Sequence, residues 1–126
     1  KRIDNGEWVV GQYVNTCYPG NGKETGHFIV VYPNEYHEIY TSTLCQFTGL
    51  CDKNGNKIWE NDICNRKEKY PEIVTYNKGD WQLDYSYVFG KEMHTDACNL
   101  GFYVCERNCV EVIGNIFDNA DLLEVE

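Results

Sequence analysis

The 126-residue sequence lacks long hydrophobic runs and has no excess of positive charge. No stretch approaches the run of about 18 apolar residues that a transmembrane helix needs, so no membrane span is expected. Eleven Lys and Arg against twenty Asp and Glu give a net charge of −9, which opposes binding to a phosphate backbone. Nucleic acid is therefore not an expected partner. No secretory signal is visible, although the sequence begins at Lys1 rather than Met and is expected to lack its first residues.

Recognisable catalytic motifs are also missing. The sequence contains no Gly-x-Ser-x-Gly elbow, no phosphate-binding Gly-rich loop and no His-Glu-x-x-His pair. The three histidines, His27, His37 and His94, are far apart along the chain. We therefore assign no catalytic, cofactor-binding or metal-ligating residue, expect no cofactor, and predict that the protein is not an enzyme. The sequence does not identify a biochemical activity.

Seven cysteines form no regular disulfide pattern, and an odd number is unusual for an extracellular framework. Reduced thiols in a reducing cytosol are the expectation. One group, made of His94, Cys98, Cys105 and Cys109, has residue types that bind metals, and we keep it as an alternative. Basic residues lie close together only at 66–69, an arrangement typical of a solvated loop.

What the sequence does contain is a series of short apolar runs separated by polar turns, with almost no helical periodicity. Trp81, Leu83 and Tyr85 alternate with polar residues as in a half-buried strand, and residues 77–80 before them form a turn signal. The run 102–105 is interpreted as another strand. These patterns predict a mostly β protein with a small barrel or sandwich. The aromatic run Trp81, Tyr85, Tyr87 and Phe89 is a candidate exposed face for protein partners or self-association.

Two chain reversals lie close together in residues 48–63. In the first, Asp52 can accept a backbone hydrogen bond two residues on, and Asn54-Gly55 suit positions with positive φ. In the second, residues 60–62 provide a polar turn. The first reversal, between apolar residues on both sides, therefore predicts a β-hairpin. Trp59 in this hairpin is predicted to lie in the core. Near the C-terminus, Asp118 or Asn119 is predicted to cap a final helical turn.

Three segments together resemble the YopX family of phage and prophage proteins. Residues 48–63 read TGLxDKNGxxIWExDI, residues 111–123 read EVIGNIFDNxDLL, and residues 1–11 read KRxDNGEWVxG. Two departures are small: Ala120 stands where proline is common in the family, and Asn61 where glycine is common. Residues between 80 and 108 match no shared motif, so nothing about them can be carried over.

The resemblance implies one YopX-like domain over 1–126, mostly β with SH3-type barrel character. Two packed subdomains are the alternative, 1–47 with a long N-terminal β-hairpin region and 48–126 with the barrel. The resemblance also implies a phage or prophage origin, without a defined activity or recognised catalytic residues. Three functions stay open. The first is a non-enzymatic protein that works in the bacterial host cytoplasm through protein contacts or self-assembly. The second is an acidic nucleic-acid mimic or a modulator of a host nucleic-acid-binding protein, and the third is a metal-binding or enzymatic protein that uses the cysteine–histidine group.

Overall fold

A computed structural model describes residues 1, 5–18, 25–33, 35–66, 70–85, 87 and 98–124. The protein is mostly β, as predicted. It divides into two compact units, Lys1–Leu44 and Cys45–Glu126. The described part of the chain has no helix that is both long enough and apolar enough to span a bilayer.

The N-terminal unit is a three-stranded antiparallel sheet in the order β1-β2-β3. Its strands are β1 (Gln12–Cys17), β2 (Thr25–Val31) and β3 (Glu35–Glu38). Strands β1 and β2 pair without interruption from Gln12 opposite Val30 to Cys17 opposite Thr25, which is the predicted N-terminal hairpin. A short 3-10 helix, Thr41–Thr43, follows the sheet.

The N-terminal unit buries few apolar side chains. The buried ones among its described residues are Phe28, Ile29 and Ile39. Phe28 contacts the rings of Tyr18 and Tyr36 edge-on, with centroids 5.5 and 6.2 Å away. A unit of this size has little interior, so much of its apolar surface stays at the solvent boundary.

The C-terminal unit contains a two-stranded and a five-stranded sheet. The two-stranded sheet pairs β4 (Phe47–Cys51) with β5 (Lys57–Trp59). The other is formed by β6 (Asp62–Asn65), β7 (Glu72–Asn77), β8 (Asp80–Asp84), β9 (Cys98–Asn99) and β10 (Glu111–Asn115). The order is β10-β6-β7-β8-β9, so the last strand lies beside β6 rather than beside its sequence neighbour.

Within the described residues, the sheets do not close into the expected barrel. Strands β10 and β9 are the two ends of the five-stranded sheet and are not hydrogen-bonded to each other. Strand β9 has only two residues, so it offers few backbone groups for hydrogen bonds to a further strand. The prediction of a mostly β fold is therefore confirmed, whereas the predicted SH3-type barrel is not.

One apolar cluster lies at the centre of the C-terminal unit. Its buried members are Ile58, Cys64, Val74, Leu83, Leu100 and Val110. Trp81 is only half-buried and packs against this cluster. Trp59 was predicted to be a core residue, but its neighbour Ile58 fills that place, and Trp59 is half-buried with its ring 5.2 Å from that of Phe47.

Two helical segments differ in how well they were predicted. The run assigned to a strand is instead a π-helix, Phe102–Glu106, which begins where the Asn99 side chain accepts the Phe102 N–H at 2.7 Å. The predicted C-terminal turn exists as the 3-10 helix Ala120–Leu123. Asn119 occupies the N-cap position, but its side chain makes no capping hydrogen bond there.

Candidate functional site

Asp52 is the centre of the first signature turn (residues 52–55). Its carboxylate is buried, with one oxygen accepting the N–H groups of Asn54 and Asn56, each at 2.9 Å. The other oxygen accepts the N–H of Val112 in β10, also at 2.9 Å. Gly55 has φ of 85°, which glycine adopts without a Cβ penalty, whereas Asn54 does not share the predicted positive φ. The turn is therefore built around one carboxylate that also holds a distant strand.

Opposing effects act on the pKa of Asp52. Burial raises it, and the hydrogen bonds from the backbone of Val112, Asn56 and Asn54 lower it more, so the net pKa lies below the ordinary value. The three N–H donors stabilise the ionised form in place of water. The Asp52 carboxylate is consequently ionised at neutral pH, and its oxygens accept hydrogen bonds from backbone groups of the same unit.

The second signature turn (residues 60–62) has a different arrangement. Asn61 adopts φ of 69°, the left-handed region in which asparagine is one of the few tolerated side chains. Its N–H donates to Val74 at 2.9 Å and its carbonyl accepts the N–H of Ile116 at 3.1 Å. Asp62 is buried and accepts the N–H of Trp59 at 2.8 Å. Burial raises the pKa of Asp62 to about 6, with only that one hydrogen bond opposing it.

The closing segment of the family pattern is bound to both turns. Its Val112 donates to Asp52 of the first turn, and its Ile116 donates to the carbonyl of Asn61 in the second. Just before the segment, the carbonyl of Val110 accepts the N–H of Lys53 at 3.0 Å. Within the segment, a Cβ added at Gly114 would lie 2.5 Å from the side-chain oxygen of Asn119, which in turn accepts the N–H of Asn115. Glycine is required there because the Asn119 amide occupies the space of a side chain.

These contacts assign a structural role to the two longest shared segments. The chemically versatile side chains in them, Asp52, Asp62 and Asn119, bond to backbone groups of the same unit. Asn115 does the same, accepting the N–H groups of Phe117 and Asp118. These side chains of the two longest shared segments serve the fold, so we look for a candidate surface elsewhere in the described chain.

The proposed cysteine–histidine group is only partly described, since His94 lies outside the described residues. Cys98 begins β9, Cys105 is exposed on the π-helix, and Cys109 lies near the carbonyl of Tyr103 at 3.9 Å. In the described part of the chain, no three His, Cys, Asp or Glu side chains are grouped closely enough to hold a metal ion. Metal binding by the four-residue group stays a prediction.

A buried polar cluster that the sequence did not predict surrounds Arg66. Its Nε donates to the carboxylate of Glu72, and the two side chains are 8% and 2% exposed. The guanidinium also lies 3.1 Å from the sulfur of Cys98 and 4.3 Å above the ring of Tyr103. The interpretation of Arg66 as part of a solvated loop was wrong, because its partners come from residues 6 and 32 positions further along the chain. The cluster joins β6, β7, β9 and the π-helix, and removing one ion would leave the other buried without its counter-charge.

Exposed apolar side chains are concentrated in the N-terminal unit. Seven of the eleven large exposed hydrophobic residues in the described chain belong to it, although it holds about a third of the sequence. They are Trp8, Val10, Tyr13, Tyr32, Tyr36, Tyr40 and Leu44, with Tyr32 92% exposed. We call the five aromatic members, Trp8, Tyr13, Tyr32, Tyr36 and Tyr40, the N-terminal aromatic set.

The aromatic face predicted around Trp81 is not the exposed one. Trp81, Tyr85 and Tyr87 are half-buried, and Phe89 lies outside the described residues. Within the N-terminal sheet, the Tyr13 hydroxyl is hydrogen-bonded to Nδ1 of His27, and the two rings stack with centroids 5.8 Å apart. Rigid aromatic rings at a surface are typical of protein-binding surfaces, because they bury a large area at a small entropy cost.

The fold and these contacts together define a small, mostly β protein. In it, residues of the two longest shared segments, 48–63 and 111–123, build the scaffold. A sequence profile described as YopX protein matches residues 10–124. The chain belongs to the YopX family, as its three segments suggested. No curated protein matches the chain.

Proposed function

We propose that this YopX-family protein is encoded by a phage or prophage and acts in the cytoplasm of the bacterial host as a non-enzymatic interaction protein. In this role it binds other proteins through its N-terminal unit, and the C-terminal unit serves as the scaffold. The partner class is protein, including a second copy of the chain. Membership of a family with an undefined role is compatible with this proposal.

The observation that carries the proposal is the concentration of exposed aromatic residues in the N-terminal unit. Tyrosine and tryptophan are enriched at the energetic centres of protein interfaces. Tyr36 is 50% exposed at the edge strand β3, and Tyr32 is almost fully exposed in the preceding turn. In the two longest shared segments, by contrast, the carboxylates of Asp52 and Asp62 and the amide of Asn119 are engaged in internal hydrogen bonds.

Affinity capture from lysogenic or infected cells, followed by mass spectrometry, tests this proposal. Tyr36→Ser should reduce the recovery of a specific partner at least about fivefold, since an aromatic anchor at an interface contributes on the order of 1–2 kcal/mol. Tyr76→Ser is the matched control, because Tyr76 is 55% exposed and also contacts one aromatic ring edge-on, but lies in the C-terminal unit. Equal loss in both variants, or no specific partner and no self-association, would count against the proposal.

The net charge of −9 favours one further candidate, an acidic mimic that occupies a host nucleic-acid-binding protein. Such a complex would weaken steeply with added salt, because the partner's basic surface would be screened. The aromatic contact proposed above would persist at high salt. Repeating the capture at low and high ionic strength therefore separates the two functions.

A further inference from the structure

Strand β1 is an edge strand of the N-terminal sheet. In the order β1-β2-β3, β1 pairs with β2 on one side and with no described strand on the other. The backbone N–H and C=O groups that alternate along that side form a template onto which another extended strand can add.

Strand β1 lacks the features by which proteins usually protect an edge. Its six residues, Gln-Tyr-Val-Asn-Thr-Cys, include no charged residue and no proline. Six consecutive pairs with β2 keep one register without a bulge. Natural edge strands are normally shortened, bulged or charged, and β1 is none of these.

The other sheet edges in the described chain each carry at least one of these protections. Strand β3 has Glu35 and Glu38, and β9 has two residues only. Strand β10 begins with Glu111 and is bulged between Val112 and Gly114. The pairing of β4 with β5 shifts register between Phe47 and Cys51. Strand β1 is thus the described edge best suited to pairing.

We propose that β1 pairs antiparallel with β1 of a second copy of this chain, joining two three-stranded sheets into one of six strands. This inference rests on the proposed interaction function and specifies its partner. A two-fold axis normal to the sheet would place Val14 opposite Val14 of the second copy. Tyr13 of each copy would then lie opposite Asn15 of the other, and we call this line of contact between the two β1 strands the seam.

Charge favours a second copy over a basic host protein at this edge. No side chain in β1 is charged, so two copies meet here without juxtaposing like charges despite a net charge of −9 each. The absence of acidic side chains also gives a basic partner strand no electrostatic reason to choose β1. Exposed Tyr13 adds apolar area to the seam.

Size-exclusion chromatography with light scattering over a range of concentrations tests the pairing. The wild-type chain should reach twice its mass of 14.7 kDa. Asn15 is at an exposed position of β1. Asn15→Lys should raise the dimer dissociation constant at least about tenfold, because the two-fold axis places the lysines of both copies at the same seam, where their like charges repel. Ser42→Lys adds the same charge at an exposed position outside the sheet and should leave the dimer unchanged.

Both variants are first checked for folding by far-ultraviolet circular dichroism. If Asn15→Lys does not fold, Gln12→Lys at the start of the strand replaces it, with the same expected loss of dimer. A monomeric wild type, or a dimer that the folded β1 variant retains, would overturn the pairing. Either result leaves the broader function to the capture experiment, in which a host protein lost with Tyr36→Ser would still support an interaction role.

Discussion

The two signature turns each contain a buried aspartate, yet the surroundings act on the two carboxylates in opposite directions. Asp52 accepts three backbone N–H groups and has a lowered pKa, whereas Asp62 accepts one and has a raised pKa. Both are short-range sequence features ten residues apart. The balance between desolvation of a carboxylate and the hydrogen bonds it accepts decides whether its charge stabilises the fold.

The largest expected effect separates the two turns directly. Asp52→Ala leaves the N–H groups of Asn54, Asn56 and Val112 without their acceptor and should lower the free energy of unfolding by about 4 kcal/mol at neutral pH. Asp62→Ala loses one hydrogen bond and also removes an unfavourably buried charge, so about 1 kcal/mol is expected. Urea denaturation measures both, and equal losses would contradict the comparison.

The next largest effect is a difference in pH dependence. Because the folded-state pKa of Asp62, about 6, lies above its unfolded value, folded protein binds more protons between about pH 4 and 6. The contribution of Asp62 to stability is therefore greatest below pH 4 and is lost as the pH rises through 6. Relative to wild type, Asp62→Asn should become more stable by about 2 kcal/mol between pH 4 and pH 7.

The lowered pKa of Asp52 acts in the opposite sense and in a lower pH range. Its contribution is present above its unfolded value, near pH 4, and is lost as the pH falls through the folded value. Taking wild type minus each asparagine variant cancels the other titrating groups. Profiles of the same sign for Asp52→Asn and Asp62→Asn would refute the opposite pKa shifts.

An effect of similar size tests the backbone of the first turn. Gly55→Val should lower the free energy of unfolding by about 2 kcal/mol, because a β-branched residue resists a φ of 85°, while no atom lies within 4 Å of the added Cβ. Lys53→Ala removes only a partly exposed ion pair with Glu111 and should cost at most about 0.5 kcal/mol. Thermal melts that coincide for the two variants would show that Gly55 is not under backbone constraint.

The smallest effect concerns the second turn. Asn61→Gly should change the stability by less than about 0.5 kcal/mol, since glycine adopts a φ of 69° freely but loses the weak contact of the Asn61 amide with Cys45. Asn61→Ala should cost about 1 kcal/mol, because alanine resists this conformation. A more stable alanine than glycine variant, measured by chemical denaturation, would exclude the left-handed conformation.

Local sequence signals predicted those parts of the fold, the turns, whose contacts are made between residues only a few positions apart. The turn at Asp52–Gly55 and the reversal after Asn77, where Lys78 and Gly79 have positive φ, depend on neighbours within four positions. Contacts across the chain were not predictable in this way. The pairing of Val112 with Asp52 spans 60 positions, and the burial of Arg66 depends on Glu72 and Cys98.

The candidate surface was predicted in kind but not in place. An abundance of aromatic residues suggested an interaction role, and the sequence favoured the run from Trp81, whose alternation marks a strand but not which face is covered. Leu100 and Val110 cover that face in the core cluster with Leu83, and neither is near it in sequence. Exposure of Tyr32 and Tyr36 follows from the small interior of the N-terminal unit, a property of the assembled sheet rather than of any local pattern.

The long reach from Asp52 to Val112 has a consequence for synthesis on the ribosome. The first signature turn is translated 60 residues before the strand that its carboxylate holds, and that strand lies close to the C-terminus. The three N-terminal strands, in contrast, are all made before residue 39 and can pair while translation continues. We therefore expect a nascent chain stalled before Glu111 to protect the N-terminal hairpin from limited proteolysis but not the C-terminal unit, and equal protection of both would contradict this order.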